Sequence, residues 1–238
     1  MPVHKDGIKS TAQVSKVAKR KRKAKSTDRE RLPVDVSDVR FPNVAKDLEA
    51  KMRSRLADAA EAFDADRFKD ADQLLASIET LTPGVPEVSE LRGLSNYRLG
   101  KWKVALNWLE EFEESTGSIE QHPVIADCYR ALKQWGRVED KWLDVAEASP
   151  GPEILEEIRI VQAGALSDQG KVAEAIAFLE KAPRGKGKAN IYVLRRMYVL
   201  GDLYERSGSI QNARSIYSAI LGVEPQFGDV AERLSDLS

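Results

Sequence analysis

One cysteine, two histidines and no long apolar run leave this 238-residue sequence little to do chemistry with. Cys128 has no second thiol to pair with, which excludes an internal disulfide framework and a cysteine-based zinc site and fits a reducing compartment. As a residue on an apolar helix, Cys128 reads as a buried small hydrophobe rather than a reactive thiol. His4 and His122 lie far apart and belong to no HExxH pair. His122 precedes a proline at a helix start, where a capping or surface role is expected. Nothing approaches the roughly 18 consecutive apolar residues of a membrane span, and the N-terminal charges are not followed by an apolar segment. The run Arg184-Gly185-Lys186-Gly187-Lys188 has glycines and lysines but not the GxxxxGK[ST] spacing of a phosphate loop, and no strand precedes it. It reads as a turn that could touch an anionic partner. With no nucleophile, base or metal set in view, the expectation is a cytoplasmic protein that is not an enzyme and takes no cofactor or metal.

What the chain does have is charge, unevenly spread. Lys+Arg number 37 against 38 Asp+Glu, a near balance that hides two opposed segments. Residues 1–32 carry eleven basic side chains against three acidic ones, a net charge of +8, and the remainder carries −9. Within the first segment Lys16, Lys19, Arg20, Lys21, Arg22, Lys23 and Lys25 form a run with no acid among them. Self-repulsion and the lack of apolar residues predict a disordered basic arm over 1–31, followed by an extended linker over 32–43 that contains Pro33 and Pro42. Such a run attracts RNA, the ribosome or DNA by counterion release, or serves as a solubilising tail. Binding to a membrane surface is disfavoured because the run has little apolar face to insert.

Beyond the arm the sequence repeats itself. A Gly or Asp, an apolar residue two positions on and usually an Ala five positions on recur as Asp66/Phe68/Ala71, Gly100/Trp102/Ala105, Gly136/Val138/Lys141, Gly170/Val172/Ala175 and Gly208/Ile210/Ala213. The intervals are 34, 36, 34 and 38 residues. The pattern predicts helix, tight turn and antiparallel helix: Gly or Asp ends the first helix in the left-handed conformation, and Ala lies where the two helices come closest. Lys141 breaks the rule, so the third hairpin is expected to be splayed or shifted by a turn.

This period and these residue types resemble the tetratricopeptide repeat (TPR). The resemblance covers roughly residues 44–225. Counting the Gly/Asp as the fifteenth residue of each unit, small residues fall at the eighth as Ala59, Gly93, Ala163 and Gly201, with Tyr129 the exception. The twenty-fourth carries Leu75, Leu109, Val145, Leu179 and Tyr217. The blocks around His122–Cys128 and Glu157–Ala165 are similar to segments of an uncharacterised actinobacterial TPR family. The resemblance implies an all-α, right-handed solenoid of helical hairpins over 44–238, with repeats near 52–85, 86–121, 122–155, 156–193 and 194–226. A capping helix over 227–238 is to be N-capped by Asp229, and Asn43 is to cap a long first helix ending near Asp64.

The family binds polypeptides on the concave face of the first helices. Carried onto this chain, that face comprises Arg53, Phe63, Glu87, Glu90, Tyr97, Arg98, Arg130, Lys133, Arg195, Tyr198, Asp202 and Glu205. Asp64, Glu157, Asp168 and Arg206 lie beside them, so the face holds six basic and seven acidic residues. A mixed sign suits a protein or peptide better than a nucleic-acid track. The family's carboxylate clamp is not expected, because Leu56, Ala60, Glu90 and Leu94 stand where it needs Lys and Asn. Of the four tryptophans, Trp102 is expected in the core, and Trp108, Trp135 or Trp142, if exposed, would be binding anchors. The implied function is a protein-interaction scaffold or adaptor of unspecified oligomeric state, with the arm as the alternative contact to RNA, ribosome or DNA.

Overall fold

In the computed structural model, residues 39–41, 44–183 and 190–237 are described, and the basic arm, Asn43 and the Arg184–Lys188 run lie outside them. The described residues form eleven helices and no strands. In order they are α1 (Lys46–Asp64), α2 (Phe68–Leu81), α3 (Pro86–Arg98), α4 (Trp102–Thr116), α5 (His122–Ala131), α6 (Trp135–Ala148), α7 (Pro152–Asp168), α8 (Val172–Glu180), α9 (Ile191–Arg206), α10 (Ile210–Val223) and α11 (Val230–Asp236). Two compact units divide them, with the boundary between Leu132 and Lys133. The N-terminal unit holds α1–α5 and the C-terminal unit α6–α11.

Four turns between paired helices share one construction. Asp66, Gly100, Gly170 and Gly208 take positive φ of 62°, 76°, 81° and 78°. Each is bracketed by two bonds back into the preceding helix, as in Gly100 N to Tyr97 O and Lys101 N to Asn96 O. That pair of bonds is the Schellman arrangement, and it satisfies carbonyls the helix end would leave open. Asp66 is of a residue type that tolerates this conformation, and its carboxylate reaches Arg98 at 2.9 Å.

The third turn departs from the expected register. The residue at positive φ is Lys133, at 59°, whereas Gly136 lies inside α6. Counted from Lys133, the turn residues are 34, 33, 37 and 38 apart. The small residue seven before the turn becomes Ala126, in place of the apparent exception Tyr129. Five after the turn stands Val138, which is fully buried like Ala71, Ala105, Ala175 and Ala213. Trp142 rather than Val145 takes the later apolar position, and Lys141 does not occupy the close-approach position at all. Its stem is buried and its ammonium lies 3.9 Å from Asp144.

Small residues at the eighth position are required by contact. A Cβ added at Gly93 would stand 2.5 Å from Leu109 Cγ, and one added at Gly201 would run into the Tyr217 ring. In each case the glycine of the first helix receives a large side chain of the second.

The first helix starts at Lys46 behind Ala45, with no side-chain cap. The end of the expected linker is not a free spacer. Val39 and Phe41 are buried against Met52, Leu56 and Ile78 of the N-terminal unit's core, a burial worth about 1.5–3 kcal/mol for each large apolar side chain. At the other end, α11 sets Val230 into the core of the C-terminal unit together with Phe227, while Leu234 and Leu237 pack partly buried on it. Asp229 precedes α11 without bonding its N-terminus and accepts a hydrogen bond from the Tyr198 hydroxyl at 2.8 Å instead.

Candidate binding surface

In the N-terminal unit the expected face comes from α1, α3 and α5. Most of its polar members are bonded within the fold, some to a neighbouring repeat and some within their own helix. Arg98 donates to Asp66 at 2.9 Å, and its guanidinium stands 4.3 Å from the Phe68 ring centroid. Phe63 meets Phe68 edge-on at 5.3 Å, and Arg53 pairs with Glu49 at 2.6 Å. Tyr97 is buried rather than presented, and its hydroxyl donates to Asp127 Oδ2 at 2.6 Å. Arg130 is likewise buried and donates to Asp127 Oδ1 at 3.0 Å. Asp127 was absent from the expected set because the misplaced third turn assigned its position to Arg130. A small residue at 126 and an interval near 33 would have located it. Lys133 is the turn residue itself and is not part of the face.

One row stays open. Glu87, Glu90 and Leu94 share a face of α3 by their i, i+3, i+7 spacing, Glu87 exposed and the other two half-buried. Glu90 accepts from Gln121 Nε2 at 2.7 Å. Loss of solvation holds the Glu90 carboxyl above its ordinary range against that hydrogen bond, and the charges of Glu120 and Glu87 add to the rise.

The C-terminal unit presents less. Arg195 pairs with Glu157 at 2.7 Å. Tyr198 is buried, while Asp202 and Glu205 are engaged by Arg233 of α11 at 2.7 and 3.0 Å. The guanidinium of Arg233 also stands 5.3 Å from the Tyr198 centroid and 5.2 Å from that of Tyr217. Burial pushes the Tyr198 hydroxyl up to about 12, against the lowering effect of Arg233.

Other expectations meet their surroundings here. His122 is buried rather than at the surface, with Nε2 3.1 Å from Glu113. Cys128 is fully buried, and loss of solvation raises its thiol pKa. All four tryptophans are half-buried, so none is an exposed anchor: Trp102 packs on Tyr97, Trp108 under Arg92 at 3.9 Å, and Trp142 against Phe178. A pattern unmarked in the sequence recurs in both units: the Tyr129 hydroxyl donates to Glu110, and the Tyr204 hydroxyl to Glu180, joining each first helix to the second helix of the preceding repeat.

These helical hairpins define a tetratricopeptide-repeat fold. The chain is similar to the crystal structure of a thermophilic TPR protein from Thermus thermophilus, with a TM-score of 0.57 and 18% identity over 78% of this chain and 98% of that one. No family model matches the sequence, and neither does any curated protein. No helix among the described residues is long and apolar enough to cross a membrane.

Proposed function

We propose that the chain is a non-catalytic, cytoplasmic adaptor that binds a polypeptide on the first-helix face of its N-terminal unit. The open row on α3 carries this reading. Glu87, Glu90 and Leu94 put two carboxylates and an apolar side chain on one face, Glu87 exposed and Glu90 sharing its carboxylate with Gln121, while Tyr97 and Arg98 beside them are bonded within the fold. Such a face suits a segment with a basic residue beside an apolar one. The test is a photo-crosslinking residue placed at Glu87 in cells, with a second at the exposed Asn107 on α4 as control. A reproducible polypeptide adduct at 87 and none at 107 is expected; equal labelling at both, or none at 87, sinks the reading.

The run from Lys16 to Lys25 favours a second reading, in which the arm contacts RNA, the ribosome or DNA. Its test compares nucleic-acid binding by the full chain and by a chain lacking residues 1–31. Loss of a steeply salt-dependent affinity supports the reading, and unchanged binding removes it.

A further inference from the structure

We infer that the last repeat contains an arginine-recognition pocket, occupied in cis by Arg233 and open to an arginine side chain of a partner polypeptide when α11 lifts away. The pocket is a property of the fifth repeat, not of the helix that fills it. Asp202 and Glu205 on α9 supply two carboxylates, and Tyr198 and Tyr217 on α9 and α10 supply two aromatic rings. Arg233 engages both through two nitrogens: Nη2 stands 2.7 Å from Asp202 Oδ1 and 2.7 Å from Glu205 Oε2, and Nε donates to Glu205 Oε2 at 3.0 Å. Its Cζ stands 5.3 Å from the Tyr198 ring centroid and 5.2 Å from that of Tyr217. A lysine ammonium in the place of Nη2 could reach both carboxylates but would supply neither the Nε donor nor a planar group to set against a ring, so the site favours arginine.

The occupant is held by a short element. The helix α11 has seven residues, too few to be stable without docking, and no side chain caps its N-terminus. Beyond Arg233, what holds it includes the buried Val230, the partly buried Leu234 and Leu237, a hydrogen bond from the Tyr198 hydroxyl to Asp229 at 2.8 Å and one from Arg214 to the Leu237 carbonyl at 2.8 Å. A short docked element opens locally at a fraction of the cost of global unfolding. When α11 opens, two carboxylates and two rings remain in place on longer helices, α9 and α10.

The inference is independent of the α3 face, and either can fail alone. It is tested with the full chain carrying Arg233→Ala and a fluorescent peptide of residues 226–238 as the probe, beside the same peptide with lysine in place of arginine. The arginine peptide should bind the variant at least tenfold more tightly than the lysine peptide, and at least tenfold more tightly than it binds the unsubstituted chain. Adding Asp202→Asn and Glu205→Gln to the variant should abolish the preference. Equal binding of the two peptides, or no binding to a variant whose circular dichroism shows it folded, overturns the inference. If Arg233→Ala does not fold, Arg233→Lys retains a cation and carries the same expectations. An unsubstituted chain that is dimeric, and becomes monomeric on Arg233→Ala, would show that the pocket takes a second copy's Arg233 and would overturn the assignment to a partner.

Discussion

The N-terminal unit ties α3 to α5 through a tyrosine hydroxyl on Asp127 and closes its open end with two apolar side chains, Val39 and Phe41. The C-terminal unit ties α7 to α9 through an ion pair between Glu156 and Arg196, 5% and 2% exposed, and closes its end with a helix. The contrast follows the repeat length. Gly170 and Gly208 are 38 residues apart, the longest interval between turns, and α8 has only 9 residues where α10 has 14. A second helix cut short leaves carbonyls unmet at its C-terminal end. Arg196 meets them, donating to Leu179 O at 3.1 Å and Pro183 O at 2.9 Å while its Nε takes Glu156. The tie between α7 and α9 is thus an ion pair where the interval is longest, while the tie between α3 and α5 is a hydroxyl on Asp127, a carboxylate that Arg130 pairs within its own helix.

The largest test of that contrast is Glu156→Ala, which strands a buried guanidinium and should cost about 3–5 kcal/mol in urea unfolding. Tyr97→Phe removes the corresponding tie of the N-terminal unit. Asp127 keeps Arg130 as a donor, so the cost should be about 1.5 kcal/mol, and a loss equal to that of Glu156→Ala would erase the distinction between the units. Smaller still is the third turn. Lys133→Gly relieves a side chain of the left-handed conformation and should stabilise by about 1 kcal/mol, while Gly136→Ala inside α6 should stabilise by about 0.5–1 kcal/mol. Destabilisation by Gly136→Ala would restore the turn to residue 136.

The smallest effect concerns the open face. A carboxyl whose folded-state pKa is raised adds stability only below its unfolded pKa and loses it as pH rises through the folded value. Glu90 is such a group, so at neutral pH its ionised form is a burden. Glu90→Gln should raise Tm at pH 7, and the difference should close as pH falls below about 4, the ordinary carboxylate range. A pH-independent difference would mean that the carboxyl's charge has no part in it.

The helical hairpins could be read from the sequence because their turns depend on one backbone conformation that glycine or aspartate supplies, and four of the five turns carry such a residue where the repeat places it. The third failed for the same reason. Its turn uses a lysine, and Gly136-Arg137-Val138 copies the motif three residues downstream. The face was legible only as positions. Which residues remain open depends on partners some thirty residues away, as between Tyr97 and Asp127 or Tyr198 and Asp229, and periodicity within one repeat holds no information about the next. The burial of His122 escaped for a similar reason, since Glu113 belongs to the preceding helix.

Cys128 gives the molecule a built-in clock. As the sole thiol, fully buried in α5 and held in its unreactive protonated form, it can meet a thiol reagent only when the N-terminal unit opens. The rate of its modification under native conditions therefore times the opening of one unit without a label, a mutation or a denaturant. Run beside Glu156→Ala, it would also reveal whether a wound in the C-terminal unit is felt across the chain: an unchanged rate would mark the units as separately cooperative, and a rate rising in step with the loss of stability would mark them as one.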